Sequence, residues 1–206
     1  MEELTEVKQK ISVMAALALA MWRTTHQAFM EHNMELLSLV LEDEERLNRL
    51  EKDLTALLIG LGKDTSSRTD KALLTAYADV VGDLELIGDY CKDILERVQI
   101  KIEERLLFSD DAVKELEDLY RRTESALSQV SEMLAKDDMS LAAGILNGQR
   151  HIDTLVDEYR QRHTQRLLDG ICSPLAGNMF LNILDFTAAV YYHTKKIARS
   201  LLKIKT

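Results

Sequence analysis

Three acidic residues recur at one-turn spacing in the stretch DLELIGDYCKDI, residues 83–94. Glu85, Asp89 and Asp93 lie four positions apart, so on a helix their side chains share one face. Carboxylates on one face suit hard cations such as Mg²⁺ or Ca²⁺, and iron where imidazole or bridging oxygens assist. Like charges at this spacing also cost a helix about 0.2–0.5 kcal/mol per pair. A metal site and a solvated helix face both remain open, and the spacing alone favours the solvated face.

The helix that would carry these acids has a continuous apolar seam. Its apolar residues are spaced alternately four and three apart: Leu73, Tyr77, Val80, Leu84, Ile87, Cys91, Ile94 and Val98. Such a seam is typical of a helix that packs against two partners. Glu85 and Asp89 fall on the side away from it, which by geometry alone indicates solvated surface. Cys91 lies on the seam, where we expect a buried, reduced thiol.

The whole chain has the composition of an all-α protein. It has 206 residues, 46% hydrophobic and 30% charged, with one proline and eight glycines, so long helices with few breaks are expected. Periodicity and break signals such as the cap residue Ser109 predict six helices. Their approximate bounds are residues 3–31, 34–60, 68–105, 110–136, 139–169 and 175–204.

The two halves of the chain resemble each other at an offset of 105 residues. The polar break at Asn33 aligns with one at Asp138, and apolar positions such as Leu47 and Leu50 fall on Ile152 and Leu155. A duplicated three-helix unit would preserve this pattern. We therefore predict two pseudo-symmetric three-helix bundles, residues 1–105 and 106–206.

Charge and hydropathy argue against several classes of partner. The net charge is -9 and the basic residues are spread out, whereas nucleic-acid binding needs a concentrated basic face. The longest apolar run, residues 11–22, is shorter than the ~20 residues of a membrane span and predicts a buried core helix. The acidic start MEELTEVKQK shows no secretory signal. We expect a cytoplasmic protein with no membrane span and no nucleic-acid partner.

Three stretches of the chain resemble phrases of the PhoU family. DLELIGDYCKDI is similar to the family phrase "DLERIGDHAxNI", which contains an E/D-x-x-x-D motif. RQRHTQRLLDGICSPLAGNMFLNIL, residues 160–184, resembles the phrase "HxxRLxxGxCxPxxGxxFLDxL". It matches at His163, Arg166, Leu167, Gly170, Cys172, Pro174, Gly177, Phe180 and Leu181. LLFSDDAVKEL, residues 106–116, is similar to the phrase that opens the second bundle. The Gly-Cys-Pro-Gly phrase is most typical of the PhoU-like domain of bacterial sodium/phosphate cotransporters.

The resemblance implies a six-helix, two-bundle fold with acidic metal clusters on its surface. It also implies a regulatory or adaptor role in phosphate uptake, without catalysis. Glu85 and Asp89 match the metal motif, and the ion could be Mg²⁺, Ca²⁺, iron or Zn²⁺. In the second half Ala188 and Tyr192 stand where the family has acids, so at most one metal site is expected. The implied partner is a membrane phosphate transporter or its regulatory kinase, and a homodimer is a further expectation.

Two other classes of function compete with this one. A di-iron carboxylate enzyme needs Glu-x-x-His pairs, and none of the five histidines has a glutamate three positions before it. Each histidine is therefore expected on the surface or in packing rather than as a ligand. A helical oligomerisation module without any ligand stays open, because the second acidic motif is absent.

Overall fold

The computed structural model describes residues 2–65, 67–147 and 149–205, in which helices are joined by short connections. A short 3-10 turn, Met139–Leu141, precedes the fifth of the helices. These are α1 (Glu2–Glu31), α2 (Glu35–Asp64), α3 (Arg68–Glu103), α4 (Asp110–Lys136), α5 (Ala142–Asn147), α6 (Gln149–Leu168) and α7 (Pro174–Lys205). The predicted all-α class and its six helical segments are confirmed, with the fifth segment formed by the 3-10 turn, α5 and α6.

Two helix boundaries differ from the prediction. α2 continues through Gly60 and Gly62 to Asp64, whereas the sequence predicts that it ends at residue 60. Each glycine costs a helix about 1 kcal/mol, but the buried Leu54 and Leu58 hold this last part of α2 in the core. The fifth predicted helix, residues 139–169, contains the 3-10 turn and passes residue 148, which lies outside the described residues.

Serine side chains begin the helices that follow the sharp breaks. The Oγ atom of Ser109 accepts a hydrogen bond from the backbone N–H of Ala112 at 3.3 Å, as the sequence predicts. Ser67 does the same for Asp70 at 3.2 Å, and Ser173 for Ala176 at 3.2 Å. These caps fix where α3, α4 and α7 start.

The halves of the chain pack against each other along two helix pairs. α1, α2 and α3 pack together, while α7 packs against α4, α5 and α6; α3 then lies along α7, and α1 along α4. The buried apolar residues of both halves form one continuous core. The connection 104–109 between α3 and α4 contains the proposed boundary at residue 105, and the division into two bundles stays a prediction.

The apolar run of α1 lies in this core. Ile11, Met14, Met21 and Trp22 have no exposed surface, as predicted for a buried helix. Within the described ranges, none of the helices combines the length and the apolar character needed to cross a membrane. The seam on α3 is also buried, including the Cys91 thiol, whose pKa burial raises well above its ordinary value.

Candidate metal centre

A close approach of α2 to α3 positions the predicted metal ligands. A Cβ atom added at Gly88 would lie 2.2 Å from Cδ2 of Leu47 and 3.6 Å from Cε of Met21. No side chain larger than a hydrogen therefore fits there without displacing Leu47, which is fully buried. Because Gly88 lies between Glu85 and Asp89 in sequence, this contact brings the polar side of α2 beside both carboxylates.

Replacing Gly88 with alanine should destabilise the protein relative to the same change at Gly82. Both glycines lie inside α3, so both gain about 1 kcal/mol of helix propensity. At Gly82 no atom lies within 4 Å of the added Cβ, whereas at Gly88 Leu47 must move, at a cost of about 1–3 kcal/mol. Urea denaturation of the two variants should show Gly88→Ala the less stable of the pair by roughly that cost. Equal stabilities would contradict the close approach.

Glu85 and Asp89 face two further acids across this contact. The pKa of Glu85 is raised by burial first, by the neighbouring carboxylate of Asp89 second and by Glu51 third. The pKa of Asp89 is raised by burial first and by the carboxylate of Glu44 second. Glu44 and Glu51 both belong to α2. The expectation of a solvated face is therefore corrected: the two carboxylates are half-buried in an acidic groove between α2 and α3.

One of these acids already has a cation. Glu44 is buried, and its Oε1 accepts hydrogen bonds from Nζ of Lys92 at 3.2 Å and from Nδ2 of Asn48 at 3.0 Å. The Oδ1 atom of Asn48 is buried and has no hydrogen-bond partner among the described residues. The groove therefore offers the carboxylates of Glu85 and Asp89, with a neutral amide oxygen on the facing helix.

The donor set of this groove suits a hydrated hard cation. No group of three or more His, Cys, Asp or Glu side chains converges as a ready-made metal cage in the part of the chain that the structure describes. Mg²⁺ is typically held by one or two carboxylates and keeps several water ligands. Two adjacent carboxylates with raised pKa values form the electrostatic setting that such a cation relieves.

The corresponding place in the second half is occupied by basic side chains. The Nζ atoms of Lys195 and Lys196 lie 5.8 and 6.0 Å from the ring centroid of Tyr192. Lys195 is buried, and burial, then Arg199, lower its pKa. With Ala188 and Tyr192 in place of acids, this region has ammonium groups where a cation would need ligands. The expectation of at most one metal site stays a prediction.

A second polar cluster joins the two halves and was not predicted. Asp83 is 2% exposed, and its Oδ1 contacts Nδ1 of His193 at 2.7 Å and Nζ of Lys196 at 2.7 Å. The ring of Tyr90 stacks on His193 with centroids 5.8 Å apart. Asp83 lies on α3 and His193 on α7, so this cluster holds the two longest helices in register. The sequence places the residues 110 positions apart, and no local spacing signals such a pair.

The second family phrase is explained by packing of α6 on α7. The imidazole of His163 stacks on Phe180 with centroids 4.1 Å apart, and burial, then Arg166, lower its pKa to about 4. Arg166 forms a buried double hydrogen bond with Glu115, at 3.1 and 2.5 Å. A Cβ added at Gly177 would lie 2.5 Å from Cδ2 of Leu167.

Each described histidine side chain is in packing or a hydrogen bond, or both. His26 stacks on Tyr120, His32 contacts Lys101, and His163 and His193 take the contacts given above. These contacts match the expectation that the histidines lie on the surface or in packing. The side chain of His151 lies outside the described residues.

Comparison with known proteins shows what the first half of the chain is similar to. Residues 11–98, which include the Glu85–Asp89 motif, match the sequence profile of the PhoU domain. The first half of the chain is similar to a PhoU domain. A curated relative, the phosphate-specific transport system accessory protein PhoU homolog of Synechocystis sp., is 32% identical over 96 residues. That alignment covers 46% of this chain and 43% of the relative, so it spans less than half of either protein.

The PhoU fold extends over the whole chain. The crystal structure of PhoU from Pseudomonas aeruginosa superposes with a TM-score of 0.91 at 17% identity, covering 99% of this chain and 97% of that one. The phosphate transport system regulatory protein PhoU from Streptococcus pneumoniae gives a TM-score of 0.87 at 18% identity, covering 99% and 95%. At these identities the likeness shows the fold. Together with the PhoU domain match, it confirms the resemblance to the PhoU family.

Proposed function

We propose that this protein is a non-enzymatic regulatory or accessory protein of phosphate transport that acts in the cytoplasm. The observation that carries the proposal is the match to the PhoU domain over residues 11–98, set in a chain whose full length has the PhoU fold. The curated relative is named as an accessory protein of a phosphate-specific transport system. A helical scaffold with half-buried acids and extensive surface suits an adaptor that contacts other proteins.

The proposed ligand is a hard divalent cation held by Glu85 and Asp89. The pKa values of the two carboxylates are raised by burial first and by neighbouring acids second, and a bound cation would offset both effects. Their oxygens, with the buried Oδ1 of Asn48 nearby on α2, are donors that favour Mg²⁺ or Ca²⁺ over Zn²⁺, which prefers nitrogen and sulfur. Iron, which also accepts carboxylate oxygens, belongs in the same titration.

The proposed partner is a membrane phosphate transporter or the kinase that regulates it. The Gly-Cys-Pro-Gly phrase, residues 170–177, favours a link to a sodium/phosphate cotransporter. In the structure that phrase ends α6, starts α7 and packs Gly177 against Leu167, so it supports the fold without contacting the acidic groove. The association with a cotransporter therefore rests on the sequence resemblance.

A helical interaction module without any metal is the second candidate. It is favoured by one observation: burial raises the pKa of both Glu85 and Asp89, so the pair can lower its repulsion by binding a proton instead of a metal ion. In that case the groove would serve packing between α2 and α3, and the homodimer expected from the sequence would be the simplest use of the scaffold.

Phosphate accumulation in cells tests the regulatory function. Deletion of the coding region should change phosphate uptake, and the wild-type gene should restore it. A gene encoding Glu85→Gln/Asp89→Asn, which keeps the size of both side chains, should restore it poorly if the metal is needed and fully if it is not. Unchanged uptake after deletion, at both high and low external phosphate, would contradict the proposed function.

A further inference from the structure

Four large apolar side chains are exposed at one end of the protein. Leu107, in the connection between α3 and α4, is 85% exposed. Leu168, Ile171 and Leu175, around the connection between α6 and α7, are 77%, 61% and 49% exposed. We call these four residues the loop surface. Neither the acidic groove nor the core uses them, and exposed apolar side chains that cluster are typical of interaction sites.

The two connections are neighbours because α3 and α7 are antiparallel. Asp83 meets His193 near the middle of the pair, while Ile100, near the end of α3, lines a small cavity with Leu175 at the start of α7. Phe108, next to Leu107, has its ring centroid 6.4 Å from that of Phe180. The residues of the loop surface therefore lie at the same end of the molecule, on adjoining segments.

Backbone hydrogen bonds hold both connections in fixed shapes. At the end of α6, Gly170 has a φ of 70°. The backbone N–H of Gly170 donates a hydrogen bond to the carbonyl of Leu167 at 3.2 Å, and the N–H of Ile171 donates one to the carbonyl of Arg166 at 2.9 Å. This is a Schellman cap, in which the residue after the glycine usually packs against the preceding turn. Here that residue is Ile171, and it is exposed instead.

The end of α3 has the same construction. Arg105 has a φ of 51°. Its backbone N–H donates a hydrogen bond to the carbonyl of Ile102 at 3.2 Å, and the N–H of Leu106 donates one to the carbonyl of Lys101 at 2.9 Å. Leu106 then packs against the core, and Leu107 points away from it. Side chains presented from ordered caps lose little conformational entropy on binding, which favours recognition.

Acidic residues surround the loop surface. Residues 103–111 and 168–175 contain one basic residue, Arg105, and five exposed acids: Glu103, Glu104, Asp110, Asp111 and Asp169. Glu103 and Asp169 accept hydrogen bonds from the neutral amides of Gln99 and Gln165. In the described ranges no salt bridge involves any of these five carboxylates. Asp111 shares a pocket with Lys114 and Arg162, so the charge available to a partner is that of Glu103, Glu104, Asp110 and Asp169.

The negative charge around the loop surface indicates which kind of molecule could bind there. A second copy of the chain would bring one acidic rim against another, and an anionic lipid surface would also be repelled. We propose that the loop surface binds a segment of a partner protein in which apolar side chains alternate with lysine or arginine. The proposal rests on the adaptor role above and gives the chemistry of the partner segment.

A binding measurement with a model segment tests this inference. The probe is a fluorescein-labelled amphipathic peptide of leucine and lysine, titrated with the full-length protein and followed by anisotropy, with a leucine and glutamate peptide of the same pattern beside it. Leu107→Ser/Ile171→Ser should weaken binding of the lysine peptide by about tenfold or more. Glu104→Lys/Asp169→Lys should also weaken it and should reduce its dependence on salt. The matched control is Val13→Ser/Ile59→Ser, two exposed apolar residues on α1 and α2.

The outcomes separate the proposed segment from its rivals. Equal affinity of all variants, equal binding of the glutamate peptide, or no binding by the wild type would overturn the proposal. Binding to phosphatidylglycerol vesicles that Leu107→Ser/Ile171→Ser abolishes would replace the segment with lipid. A dimer in sedimentation that the same change dissociates would replace it with a second copy. The binding measurement involves no phosphate, so a negative result would not contradict the proposed regulatory function. A negative result in the phosphate-uptake test would likewise not contradict peptide binding.

Discussion

Replacing Arg166 with methionine should lower the free energy of unfolding by about 3–5 kcal/mol, because it leaves the carboxylate of Glu115 buried without its main cation. The side chains of Arg166 and Glu115 are 11% and 7% exposed, and two hydrogen bonds join them. Arg162 lies 3.8 Å from the same carboxylate and is largely exposed, so it can compensate in part. Urea denaturation followed by circular dichroism measures the loss.

Two control variants show whether the buried charge is the cause. Lys136→Met removes an exposed pair with Glu132 on the same helix as Glu115 and should cost less than about 1 kcal/mol. Glu115→Leu/Arg166→Met removes both charges and should be clearly more stable than Arg166→Met alone. If the double variant were no more stable than the single one, lost packing on Phe180 rather than an unpaired charge would explain the effect.

Without metal, the variant Glu85→Gln/Asp89→Asn should be more stable than the wild type. With metal added, it should be less stable than the wild type. Both carboxylates have a raised pKa in the folded protein, so the folded state binds their protons more tightly than the unfolded state does. Their contribution to stability is therefore complete below the unfolded pKa values and is lost as the pH rises through the folded ones. At neutral pH and without metal, the neutral variant should be more stable than wild type by a few tenths of a kcal/mol, the scale of one like-charge helix pair.

Added metal should then favour the wild type. An ion that binds the folded state alone stabilises it by about 2.7 kcal/mol at a concentration 100 times its Kd. Thermal denaturation with Mg²⁺ should raise the Tm of the wild type and leave that of Glu85→Gln/Asp89→Asn unchanged. Glu45→Gln, an exposed acid on α2 outside the groove, is the control and should respond as the wild type does. Equal shifts in all three proteins would contradict the proposed ligands.

The fold was predictable from the sequence because local signals and the core pattern agree. The seam on α3, the serine cap of α4 and the apolar run of α1 are short-range patterns, and each has its expected place in the structure. The continuation of α2 to Asp64 was missed because burial of Leu58 outweighs the two glycines, which a local reading takes as a break. Tertiary packing here overrides propensity.

The site was predictable in part. The four-residue spacing and the family phrase point to Glu85 and Asp89, but not to the acids of α2 that face them. Glu44 and Glu51 are 34 or more positions away, and only the close approach at Gly88 brings them near. The contact of Asp83 with His193 spans 110 positions and likewise depends on how α3 meets α7. Burial of the two carboxylates follows from the same contact, so the solvated face was the wrong expectation.

Calorimetric titration of metal ions tests the acidic groove most directly. Mg²⁺, Ca²⁺ and Fe²⁺ are each titrated into metal-free wild type, Glu85→Gln/Asp89→Asn and Glu45→Gln. We expect saturable binding of at least one of these ions to the wild type and to Glu45→Gln, and its loss in the double variant. Binding that the double variant retains, or no binding of any of the three ions to the wild type, would contradict a metal centre at Glu85 and Asp89.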